Sequence, residues 1–301
     1  MDDLDELEVF LAGTLQISKE EIESCLEWVC SEEKENVKCD IHMVKCTAER
    51  VREQEFIKII GNYLIFYALR VNEYSDIDPK NAVRIVRLAK NRFASRNDSG
   101  EVGELIIFIM LELYRGATQI LNKMSIKTNG EMNFHGLDGV HLSIQDGNVR
   151  LYYGHSKFYK EMKGAIRDSV KDINEFNEDS DKQEFEINLV DANIDTVKFG
   201  QYTEEIKKII NPWAEDKTNF SEIHSVFIGC EWSSLAKIDY ERLRKEGSAY
   251  LKSIIESEKA DLVKYCRDKV SDNSIQTSVE FFIIPFLNKN RVNTLFQEVL
   301  S

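Results

Sequence analysis

The stretch from Phe134 to Lys157, FHGLDGVHLSIQDGNVRLYYGHSK, constrains the fold more than any other part of the chain. Two apolar runs flank Asp146-Gly147, and an Asp-Gly pair between alternating runs is a strong short-range signal for a β-hairpin. With those two residues as the loop, Gln145 faces Asn148. The ladder then continues through Ile144 with Val149, Leu142 with Leu151, Val140 with Tyr153 and Asp138 with His155. Strand side chains alternate with period two, so the last four pairs share one face. That face is apolar near the turn and ends in Asp138, His155 and Lys157, where Gly139 and Gly154 leave the other side bare. A register slip of one residue turns Asp138 away from its two companions, which makes the turn part of the site.

An Asp on one strand, with a polar residue and a Lys at alternate positions on the next, is a set that phosphodiester hydrolysis uses. Carboxylates hold a divalent cation, while a Lys positions or deprotonates the attacking water and offsets developing charge. In the same register His141 falls on the opposite face beside Tyr152 and reads as a sheet histidine rather than a ligand. His135 lies just before the first strand, and the residues alone do not decide its role.

A nucleic-acid enzyme needs cationic surface, and this chain is acidic, with a formal charge of −14 over 301 residues. That balance argues against a general polyanion-binding surface, so any contact must be a local basic patch. Two such patches stand out. Lys80, Arg84, Arg87, Lys90, Arg92 and Arg96 follow one another with no acid from Pro79 to Asn97, and Val83, Val86, Ala89 and Phe93 read as the apolar stripe of that helix. Lys160, Lys163, Arg167 and Lys171 recur at helical spacing directly after Lys157, with Met162, Ala165, Ile166, Val170 and Ile173 as the buried side. Each patch fits either a solvated face or phosphate contact beside the hairpin.

Between the first patch and the hairpin, Ser99 to Glu104 leads into Leu105 to Leu113, which is apolar on nearly every side and reads as a buried helix. Glu101 and Glu104 sit in its first turn, three apart on one face. They fit simple capping, favoured by the helix dipole, or delivery of a further metal ligand.

Elsewhere, residues 1–34 read as helical and polar, 36–46 as a possible strand, and 50–70 as an amphipathic helix. Residues 175–186 carry six acids and one lysine and read as an exposed connection. Helices follow over 203–210, 239–270 and 291–300, with strands over 224–230 and 277–285. Strands alternating with helices around the hairpin imply an α/β core sheet with helices on both faces. The organisation expected is a mainly helical region over 1–95 packed on an α/β domain over 96–301. Six cysteines show no metal-ligand spacing, nothing at the start resembles a secretory signal, and no apolar run approaches a membrane span. A cytoplasmic protein with reduced thiols and no membrane partner is expected. No P-loop or dinucleotide fingerprint is present, which argues against ATP hydrolysis by this chain.

Together, SGEVGEL at 99–105, HGLDGVH at 135–141, YGHSK at 153–157 and FIIPF at 282–286 resemble the HamA family, the nuclease subunits of Hachiman anti-phage defence systems. That family is similar to the PD-(D/E)XK nucleases, so the resemblance implies a restriction-endonuclease-like mixed sheet flanked by helices. It also implies that Asp138 matches the metal-binding Asp, Lys157 the catalytic Lys, and Glu104, with Glu101 as alternate, the helix acid. His155 departs from the pattern, which has Glu there; a neutral imidazole suits Mn²⁺ but not Mg²⁺, which strongly prefers oxygen. Mg²⁺ or Mn²⁺ is the implied cofactor. DNA is the implied substrate, and a superfamily 2 helicase like the companion subunit, HamB, is the implied partner.

Three functions are consistent with these residues. One is a metal-dependent DNase restrained by a helicase; the second is an impaired fold of the same class that binds DNA or the helicase without cutting. The third is an interaction protein that docks its acidic surface on a basic partner.

Overall fold

The computed structural model describes residues 3–93, 100–126, 137–211 and 219–301. Ser99, Arg96, His135 and Gly136, which the sequence singles out, lie outside the described residues.

Seven strands form one mixed sheet: β1 (Leu26–Lys34), β2 (Val37–Val44), β3 (Thr118–Leu121), β4 (Gly139–Gln145), β5 (Asn148–Tyr159), β6 (Phe220–Glu231) and β7 (Ser278–Phe286), in the order β1-β2-β7-β6-β5-β4-β3. The pairings from β2 through β7 and β6 to β5 are parallel, and both flanks are antiparallel. Parallel strands are covered on both faces and so read as nearly continuous apolar runs, which is how β6 and β7 read in the sequence.

The hairpin has the expected register. Gln145 pairs with Asn148, Ile144 with Val149, Leu142 with Leu151 and Val140 with Tyr153, down to Gly139 with Gly154. Asp146 and Gly147 carry φ of +52° and +72°, the left-handed pair that a two-residue turn of this type requires. Asp138 N–H still donates to Gly154 O at 2.8 Å, which extends the ladder to the charged end.

Helices cover both sides, as the sequence implies. On one side lies Gly100–Arg115, buried at Val102, Gly103 and every position from 105 to 111, packed with helices Glu53–Gly61, Leu64–Ala68 and Lys289–Leu300 over Tyr152, Phe227 and Phe282. On the other, Met162–Glu178 and Ser248–Asp272 cover Val226, Ile228, Phe281 and Ile283. The apolar face of the hairpin is closed by Asp3–Gly13 and Ser180–Asn193, through Leu7, Leu11, Ile187 and Val190.

Four expectations change. Residues 26–34, the end of the stretch read as helical and polar, are the edge strand β1; its exposed charged end at Ser31–Lys34 is how edge strands avoid pairing with other chains. With β2 they place strands from the N-terminal region in the same sheet as the hairpin. In helix Ala82–Phe93 the buried stripe is Ile85, Ala89 and Phe93, an i, i+4, i+8 row, while Val83 is 71% and Val86 37% exposed. The acidic stretch 175–186 is no connection. The Met162–Glu178 helix runs into it, Asp179 caps the next helix by accepting from Lys182 N, and Glu186 is buried. The two helical readings at 50–70 and 239–270 each contain a break, the second at Gly247 with φ +59°.

Candidate functional site

At the end of the hairpin away from its turn, Glu104, Asp138, His155 and Lys157 line one cavity of about 700 Å³. Each arrives from a different constraint. Asp138 and His155 follow from the strand register. Lys157 lies two residues beyond His155, on the same face of β5. Glu104 depends on how closely the buried helix meets β5: a Cβ on Gly103 would lie 3.1 Å from Ser156 Cβ, so the glycine permits the approach that sets Glu104 in the cavity wall. Tyr67, from helix Leu64–Ala68, donates to Glu104 Oε2 at 3.1 Å and fixes that carboxylate.

The electrostatics follow from this crowding. Burial, and after it the negative charge of Glu104, push the Asp138 carboxyl up to about 7; a hydrogen bond from Ser156 and the charges of Lys123 and Lys157 oppose the shift. Burial drives the His155 imidazole well below its usual range, helped by His224, Lys157 and Lys123. Burial also lowers His224, to about 4. Lys157 goes the other way. Burial works against its charge, but the carboxylate of Asp172, 2.6 Å from its Nζ, outweighs that and raises its pKa.

A carboxyl whose proton affinity is raised by a second carboxylate, beside a neutral imidazole, matches a divalent cation in charge and type. The set is not drawn tight: among the described residues no group of three or more His, Cys, Asp or Glu side chains stands close enough to hold a metal ion. Asp138 and Glu104 would be the anionic ligands. Glu101, the alternate, is buried and is not among the cavity-lining residues, although its charge reaches the Tyr67 hydroxyl.

The basic residues are placed less directly. Lys160, Lys163, Arg167 and Lys171 form an exposed row at the start of the Met162–Glu178 helix, and none lines the cavity. Instead the neighbouring face of that helix presents Asp172, Glu175 and Asp179, joined by Asp181 and Glu186 of the next helix. Arg84 and Arg87 are exposed on helix Ala82–Phe93 and lie outside the cavity lining. Arg92 of that patch is structural, donating to Glu73 and to Ala68 O.

Several participants carry no signal in the sequence. His155 Nε2 lies 3.0 Å from His224 Nδ1, and His224 belongs to β6, sixty-nine residues away. Lys123 makes a buried ion pair, 2.6 Å apart, with Glu186, which lines the cavity. An inward-facing histidine two strand positions from a lysine was the available cue for β5, but nothing local marks the partner strand. His141, as expected, is a sheet residue: its Nδ1 lies 3.1 Å from Ala117 O and it packs against Phe108.

A family model, HamA, matches residues 23–300. No curated protein matches the chain.

Proposed function

The chain belongs to the HamA family and is a Hachiman-type defence protein; from that premise we propose that it is a metal-dependent DNA endonuclease of PD-(D/E)XK type, held in check by a superfamily 2 helicase of the HamB kind. The observation that carries the reading is the convergence of Asp138, Glu104, His155 and Lys157 on one cavity at the end of a mixed sheet.

A bound Mg²⁺ or Mn²⁺ would polarise the phosphoryl oxygen and acidify water. Asp138 and Glu104 would hold that ion, which would offset the negative charge that Glu104 presents to Asp138. Lys157 contributes a fixed positive charge that orients the attacking water and offsets charge on the phosphate. Water adds its oxygen to phosphorus, one P–O bond breaks, and the departing alkoxide takes up a proton. The exposed row Lys160, Lys163, Arg167 and Lys171, outside the cavity lining, would meet the nucleic-acid backbone without sequence readout.

The acids around the cavity support the restraint. Asp172, Glu175, Asp179 and Asp181 repel a polyanion, and Asp172 occupies Lys157, so the isolated chain rests in a form that disfavours DNA. A helicase that shifts the two acidic helices when it meets DNA would expose the lysine.

A second reading, binding of DNA or the helicase without cutting, is favoured by one observation. His155 stands where the resembled pattern has Glu, and its Nε2 is engaged by His224. Nicking of supercoiled plasmid, with Mg²⁺ or Mn²⁺ and with or without the helicase, separates the two. Metal-dependent nicking lost in Asp138→Ala is the expected result. DNA binding with no cleavage under any of the four conditions would select the second reading.

A further inference from the structure

Helix Ala82–Phe93 buries Ile85, Ala89 and Phe93 and turns its other side to solvent. There Val83 and Val86 stand exposed among Arg84 and Arg87, with Lys80 just before the helix and Lys90 one turn on. Among the described residues Arg92 pairs with Glu73, while Lys80, Arg84, Arg87 and Lys90 have no ion pair. In a chain that carries −14, four neighbouring cations without an acid are an uncompensated charge. Their mixture with valines narrows the partner. A phosphate backbone offers nothing to branched apolar side chains, and this face has no aromatic ring on which a base could stack. An acidic protein surface with an apolar centre matches both features.

The same chain has such a surface. Helix Asp3–Gly13 buries Leu7 and Leu11 and exposes Asp5, Glu6 and Ala12, with Val9 between them at 69% exposure. Neither Asp5 nor Glu6 has an ion pair among the described residues. The two helices, of 11 and 12 residues, are matched in length at about 17 and 18 Å.

Within one copy the two surfaces cannot meet. Leu7 and Leu11 pack with Val140 and Leu142 on one side of the sheet, whereas Ile85, Ala89 and Phe93 belong to the core over Tyr152 on the other. Faces on opposite sides of the sheet meet head to tail between copies, the arrangement that closes into a ring or grows as a filament. We propose that helix Asp3–Gly13 of one copy docks antiparallel on helix Ala82–Phe93 of the next. Val9 sits between Val83 and Val86, and Asp5 and Glu6, about one turn away, face Arg87 and Lys90. The contact is independent of the chemistry at the cavity. A pair of helices this short buries less than the about 1,200 Å² of a standard interface, so the association is weak and depends on concentration.

Sedimentation velocity of the full chain over a range of concentrations tests it. The sedimentation coefficient should rise with concentration. Arg84→Glu with Arg87→Glu, or Asp5→Lys with Glu6→Lys, should each weaken association about tenfold or more, because like charges then face each other. An equimolar mixture of the two variants should recover association, since the untouched acidic face of the first meets the untouched basic face of the second. Misfolding or altered net charge gives no such recovery. Asp5 and Glu6 also favour the first turn of their helix, so Val9→Gln probes the same face with that charge in place and should weaken association too. A chain that stays monomeric at every concentration, or association that both reversals leave intact, overturns the proposal. Loss of duplex-DNA affinity on reversing Arg84 and Arg87, with association unchanged, overturns it as well and assigns the helix to nucleic acid.

Discussion

Lys157 Nζ lies 2.6 Å from Asp172 Oδ2, so the lysine expected to work at the site is held by an acid of the helix that covers it. Asp172 is 45% exposed, and an ion pair so open to solvent is worth about 0.2–1 kcal/mol. Asp172→Asn should therefore release Lys157 at little cost to stability. The expected outcome is a gain of roughly 2- to 5-fold in DNA affinity for the isolated chain, in keeping with that energy. Fluorescence-anisotropy titration at low salt checks it, and unchanged or weaker binding would remove Asp172 as a restraint.

Asp138 gives a pH dependence whose sign is fixed. Its carboxyl is pushed up to about 7, mainly by burial and then by Glu104, whereas the unfolded chain's Asp titrates near about 4. The folded state binds this proton more tightly, so the contribution to stability is complete below about pH 4 and is lost as pH rises through about 7. Asp138→Asn cannot lose it. The thermal midpoint of the variant relative to native should rise between pH 4 and 8, and saturating Mn²⁺ should narrow the gap by binding the native fold. A difference that stays constant over that range would show that Asp138 is not the strained group.

Gly103 sets the approach of the buried helix. An added Cβ would stand 3.1 Å from both Ser156 Cβ and Ser156 Oγ, on β5, with the Phe227 ring next. Gly103→Ala must shift the helix by a few tenths of an ångström and should cost about 1–3 kcal/mol, the usual range for overpacking. Because Glu104 is the next residue, Mn²⁺ affinity should fall while DNA binding holds. Loss of both in parallel would mean general unfolding.

The parts of the molecule visible in the sequence are those with local rules. Asp146-Gly147 and the period-two alternation fix the register of the hairpin, and Asp138, His155 and Lys157 line one cavity at its far end. Leu105 to Leu113 is apolar on nearly every side, Glu112 being the exception, a pattern that fits a buried helix. What escaped depends on contacts between distant segments. His224 and Asn177 meet His155 only because β6 and a helix flank β5, and Tyr67 looked like core because most of it is core, with a hydroxyl that reaches Glu104. The acids at 175–186 read as an exposed connection, since nothing in a charge run tells which cavity it will line. β1 escaped for a different reason: the helix propensity of Glu and Lys is weak, and pairing with β2 overrides it.

The basic ridge makes a quantitative prediction. If Lys160, Lys163, Arg167 and Lys171 neutralise phosphates, changing each to Gln should flatten the dependence of log affinity on log salt by about 0.9 per contact on duplex DNA. Asp138→Ala should leave that slope unchanged. A ridge variant with the native slope would assign these residues to solvent or to the helicase, where Arg84 and Arg87 would be examined in the same way.

His155 is where residue chemistry and family pattern diverge. A site of this type uses negative ligand charge to hold the cation and to lower the pKa of its water, and an imidazole in place of a carboxylate removes one full charge. Glu104 restores part of it, at the price of raising Asp138. The native chain is expected to show little Mg²⁺-dependent cleavage and more with Mn²⁺, which accepts nitrogen. His155→Glu should raise the Mg²⁺ rate, and Asp138→Ala in that background should abolish it. The new carboxylate would face His224, whose ring can then donate to it, so the variant keeps a buried partner. Nicking rates in each metal check the order. Strong Mg²⁺-dependent cutting by the native chain would show that Asp138 and Glu104 suffice, and equal inactivity of native and His155→Glu protein with metal and helicase present would assign the fold to binding.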